Sequence, residues 1–100
     1  MLFRSNSAIQ ADYASAQGHA GLAQVREQSG DTGEARTEAL ASIKIAPNAN
    51  AYLVLARLDL QQNDLHAAAL DVQNALHVEP NNPAVMGMRQ ALLNRGQSVP

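Results

Sequence analysis

The residues best suited to chemistry in this chain are three histidines, a scatter of serines and one aspartate in an apolar run. His19, His66 and His77 would have to chelate a metal from i, i+3 or i+4 positions, and none of them stands at that spacing. His66 and His77 lie three helical turns apart, about 16 Å along an axis, too far to share an ion. Ser5, Ser7, Ser15, Ser29 and Ser42 have no neighbouring base to activate a hydroxyl, and no glycine-rich stretch has the form of a phosphate cradle. Asp59, inside Leu58-Asp59-Leu60, is expected to make a polar contact with Arg57 or Arg26 rather than to act as an acid or base. The reading is therefore of a non-enzyme, with no catalytic residue, no metal and no cofactor.

What would otherwise position such groups is an all-helical scaffold. Of the 100 residues 46% are apolar and 16% charged, a globular composition, and the apolar share is mostly Ala and Leu. Those are strong helix formers, while the aromatics that favour strands are limited to Phe3, Tyr13 and Tyr52. A net charge of −2 with scattered arginines argues against nucleic acid as a partner. The absence of cysteine excludes disulfides and thiolate metal sites. No apolar stretch approaches the ~20 residues that span a bilayer, so no membrane insertion is expected. The reading is of a soluble chain, with the cytoplasm favoured over the periplasm.

The strongest organising signal is internal repetition. Gly30-Asp31 through Pro47-Asn48 recurs 33 residues later as Asn63-Asp64 through Pro80-Asn81. The same shift places His19 on Tyr52, Leu22 on Leu55, Ala23 on Ala56 and Ala35 on Ala68, with one mismatch at Leu40 and Gln73. A period of this length marks stacked units that each cover the apolar face of the next.

Stop and cap residues divide the chain into five helices. Residues 1–13 show no sustained period and read as an N-terminal arm. A first helix is predicted from about Ala14 to Ser29, with Leu22, Ala23 and Val25 inward and Gly30 as its stop. Asp31 caps a second helix with the stripe Ala35, Ala39, Leu40 and Ile43, ended by Pro47. The third, about Asn50 to Gln62, is apolar on nearly every side and so is predicted to be sandwiched. Asn63-Asp64 stops it and caps the fourth, Leu65 to Val78. Asn82 and Pro83 open a fifth, which Gly96 ends. Gly18 and Gly21 inside the first helix are expected to permit close helix approach. The domain spans 14–96, with repeats at about 16–48 and 49–82, a closing helix at 83–95 and a tail at 97–100.

Tyr52, Leu55-Ala56, Ala68, Ala75 and Pro80, and more loosely His19, Leu22-Ala23, Ala35, Ser42 and Pro47, resemble the tetratricopeptide repeat family. The resemblance covers about residues 16–95. It departs at Arg26, Ala39, Asp59 and Val72, where the family usually carries aromatics. It implies a short right-handed α-solenoid of helix-turn-helix hairpins that acts by protein–protein interaction. His19 then takes a packing position, and His66 and His77 face solvent.

In the family geometry the first helix of each hairpin lines a concave groove. Candidate ligand-binding residues are Gln24, Glu27, Leu53, Arg57, Leu60 and Asn94, a lining suited to a peptide or helix with an apolar anchor and an acidic group. Arg57 would pair with that ligand carboxylate; its other readings are solvation or a pair with Glu27. Leu53 and Leu60 suit inter-helix core better than ligand anchoring. The carboxylate clamp of family members that hold chaperone tails is missing, since Ala20, Gln24, Val54, Ala84 and Met88 stand at its positions. The alternative is a scaffold segment of a larger repeat protein, or a homodimer, packing through the N-terminal face. Arg89, Gln90 and Asn94 make the C-terminal end look finished, whereas Leu2, Phe3, Ile9 and Tyr13 are the apolar residues available to fold over the N-terminal end.

Overall fold

The computed structural model describes residues 6–100, with side chains from residue 9 onward. Among the described residues there are five helices and no strand: α1 (Asn6–Gln28), α2 (Thr32–Ile45), α3 (Ala49–Gln61), α4 (Leu65–Val78) and α5 (Pro83–Asn94). α1 packs along α2 and α3 along α4, as two hairpins. α3 also lies against both helices of the first hairpin, and α5 against both helices of the second. The all-α hairpin stack expected from the period is the observed fold.

The two hairpins turn by the same local chemistry. At the end of α1 the Asp31 N–H donates to Arg26 O at 2.8 Å, and at the end of α3 the Asp64 N–H donates to Asp59 O at 2.8 Å. Closing such a turn takes one residue at positive φ, supplied by Gly30 (φ 86°) and by Asn63 (φ 60°). The next residue caps the following helix in both cases: Asp31 accepts from the Glu34 N–H and Asp64 from the Ala67 N–H. At each reversal one orphan donor and one orphan carbonyl are thereby satisfied.

The junction between repeats rests on a buried polar network. Asn48 caps α3 by accepting from the Ala51 N–H at 2.9 Å, while its Nδ2 donates to Ser42 Oγ at 2.8 Å and Ala46 O at 2.9 Å. Ser42 Oγ in turn donates to Ala16 O of α1 at 2.6 Å. Both side chains are fully buried, so removing either would orphan a polar group in the interior. One repeat later Ala75 stands in the place of Ser42. There Glu79 reaches back to accept from the Ala49 N–H at 3.0 Å and from Asn82 Nδ2 at 3.2 Å.

α3 is covered on two sides, as its all-round apolarity predicts. Ala51, Val54, Leu55 and Leu58 lie against Ala20, Ala23, Ala35 and Ala39 of the first hairpin. Ala49, Leu53 and Ala56 lie against Ala68, Ala69, Val72 and Ala75 of α4 and Val85 and Leu92 of α5. Each buried Leu or Val contributes on the order of 1.5–3 kcal/mol relative to exposure. The many alanines let the helices sit close.

Several expectations are corrected. α1 already includes Asn6, the first described residue, rather than starting near Ala14, so residues 6–13 are helix and not an arm. Nothing from Asn6 to Ala14 stops a helix: the stretch has neither Pro nor Gly and is rich in Ala. Ile9 and Tyr13 consequently ride on that extension and stay exposed instead of folding over the end; Leu2 and Phe3 lie outside the described residues. Leu22, Val25 and Leu40, expected inward, are exposed. At Gly18 and Gly21 an added Cβ would meet nothing, so these glycines do not serve close packing within the chain. The closing helix exposes Arg89, Gln90 and Asn94 but also Met86 and Leu93.

Candidate functional site

The candidate groove residues sit on α1, α3 and α5, and only some come together. Arg57 on α3 meets Glu27 on α1 in a bidentate pair, Nε to Oε2 at 2.7 Å and Nη2 to Oε1 at 2.8 Å. The Glu27 side chain is nearly buried beneath it. A planar guanidinium fork matched to a carboxylate is a strong form of ion pair, and it uses the edge of Arg57 that would have received a ligand's acidic group. Of the three readings of Arg57, the structure shows the pair with Glu27. A second link, Asn50 Nδ2 to Gln17 Oε1 at 3.0 Å, joins the same two helices.

The remaining candidates are dispersed. Leu53 is 5% exposed, and Leu60 is half-buried against the same core, so both serve inter-helix packing. Gln24 is half-buried on α1, one turn before Glu27. Asn94 stands apart near the end of α5, where its Oδ1 accepts from Gln90 Nε2 at 3.0 Å. Among the described residues no pocket is enclosed and no cluster of metal-ligating side chains occurs. No described helix is long and apolar enough to cross a membrane.

Asp59 makes the polar inter-repeat contact foreseen for it, but with Arg36 of α2 rather than Arg57 or Arg26: Arg36 Nη2 donates to Asp59 Oδ1 at 2.8 Å. Beside this pair lies Asp71 of α4, whose Oδ2 is buried and meets no donor. Burial, the hydrogen-bonding contact with Asp59 and the charges of Asp59 and Asp64 push the Asp71 carboxyl up to about 8, while Arg36 pulls the other way. The buried Asp71 carboxyl beside the charged Asp59 therefore keeps its proton at neutral pH. This cluster escaped the sequence reading because its members lie on three different helices and meet only when these pack. His19 is half-buried between α1 and α2, with Nδ1 2.7 Å from Glu38 Oε2 on α2. His66 and His77 face solvent as expected.

Comparison with known proteins adds one short match. Over 41 residues the chain is 49% identical to bacteriophage adsorption protein A of Escherichia coli (strain K12), which covers 41% of this chain and 4% of that protein. The chain thus spans a small fraction of the length of the curated relative it matches. No family profile and no solved structure matches the chain.

Proposed function

We propose that the chain is a protein–protein interaction element of tetratricopeptide type, working as a scaffold segment in a larger helical-repeat assembly. One observation carries this reading: each hairpin is covered by the next helix in a repeated way, α3 on the first hairpin and α5 on the second. Such an architecture is built to be extended, since its stability comes from unit-to-unit contacts. The match to a short part of a far longer adsorption protein supports a segment rather than a self-contained receptor.

The groove reading has weaker footing, because Arg57 is matched to Glu27 and Leu53 is committed to the core. The test is affinity capture from source cells with wild type, a groove variant (Gln24→Ala, Glu27→Gln, Arg57→Gln) and an end-face variant (Leu22→Asp, Val25→Asp). Loss of the partner with the end-face variant alone is expected. Loss with the groove variant alone would return the site to the groove.

A further inference from the structure

The surfaces that cover each hairpin occupy one register in the repeat. On α3 they are Ala51, Val54, Leu55 and Leu58, buried on the alanine floor made by Ala20 and Ala23 of α1 with Ala35 and Ala39 of α2. On α5, with the caps Asn48 and Asn82 aligned, Val85, Met88 and Leu92 stand where Ala51, Val54 and Leu58 stand, and they pack on the second hairpin. On α1, the shift that lays Gly30-Asp31 on Asn63-Asp64 gives Gly18, Gly21, Leu22 and Val25. There Leu22 is 47% and Val25 59% exposed, against 5% and 2% for Leu55 and Leu58. The interface formed twice within the chain has its third instance open.

We propose that this face of α1 docks a helical hairpin of the same repeat design, presenting a floor of alanines from two antiparallel helices. The proposal rests on the assembly reading above and names its partner. Charge narrows the partner further. Asp59 is held by Arg36 of the hairpin beneath it. Arg26 occupies the register of Asp59, with its own Nε 3.3 Å from Glu34 Oε2. A cation at the register of Arg36 would set like charges together, so the hairpin that covers α1 carries a neutral or acidic side chain there. A second copy stacked head to tail fits poorly, because Gln90 and Asn94 of α5 hold the floor positions of Ala56 and Leu60.

The test uses the full chain with residues 16–48 duplicated in tandem, and with Arg36→Glu in the first copy to meet Arg26 of the second. In that chain the second copy's Leu22 and Val25 are offered the first copy's alanine floor. A single cooperative transition is expected, with a higher Tm and a larger denaturant m-value than the 100-residue chain. Leu22→Asp/Val25→Asp in the second copy should abolish the gain, while the same change in the first copy, facing solvent, should leave it. Equal effects of the two placements, or a separate melting of the added hairpin, would overturn the proposal. So would concentration-dependent dimerisation of the 100-residue chain that Leu22→Asp abolishes, which would put a second copy on the face. None of these outcomes decides whether the chain binds protein at all; the capture experiment does that.

Discussion

Asp71 of α4 lies beside Asp59 of α3, whose carboxylate alone accepts from the guanidinium of Arg36 on α2. Because Asp71 is raised from 3.8 to about 8, the folded chain keeps a proton there that the unfolded chain loses near pH 4. The unfolded state then binds fewer protons between about pH 4 and 8, so this group makes stability fall as pH rises across that window. The effect levels off above it. Asp71→Asn supplies a neutral donor at the same place. It should raise stability at pH 7 by about 1–2 kcal/mol and leave it unchanged below pH 4. Denaturant titrations of both proteins at several pH values measure the slope. Parallel pH dependences would show that Asp71 does not hold the proton.

Leu55 and Leu22 share a repeat position but not an environment, and their substitutions should diverge accordingly. Leu55→Ala removes a buried side chain from the inter-repeat contact and should cost about 2–4 kcal/mol. Leu22→Ala, on the open face, should change the stability of the isolated chain by less than about 0.5 kcal/mol. Urea unfolding of the two variants compares them directly.

Gly18 and Gly21 lie in helical backbone with open space where a Cβ would stand. Replacing either by Ala should therefore stabilise the isolated chain by about 0.5–1 kcal/mol, by lowering the entropy lost on folding. Gly30 is the opposite case. At φ 86° it closes the first hairpin, and Gly30→Ala should destabilise by about 1–2 kcal/mol. Thermal melts of the three variants give both signs.

The Glu27–Arg57 pair predicts a double-mutant cycle. Arg57→Ala strands a nearly buried carboxylate, so Glu27→Ala should partly rescue it, with a coupling of about 1 kcal/mol. An exposed pair would give a coupling near zero, erased by salt.

The hairpin turns were legible in the sequence because their signals are local. Gly30-Asp31, Asn63-Asp64 and Asn82-Pro83 each carry a stop or a cap within two residues. The sandwiching of α3 was legible because it is apolar all round. The inward placement of Leu22 and Val25 was misjudged for a physical reason: their pattern matches that of α3, but burial depends on a neighbour that the described residues do not supply there. The helical state of residues 6–13 was missed because Ala-rich sequence without a stop gives no boundary. The buried Ser42–Asn48 network was not legible, because the acceptor of the serine hydroxyl is Ala16 O, 26 residues before it. The groove candidates shared a helix face, but whether Arg57 was free or held by Glu27 turned on a contact between two helices.

Site-specific photo-crosslinking in source cells tests the central claim most directly, with the crosslinker placed in turn at Leu22 on the open face of α1 and at Gln24 in the groove. The account predicts adducts from position 22, mapping to a helical segment rich in alanine, and few from position 24. Adducts from position 24 with none from position 22 would contradict it.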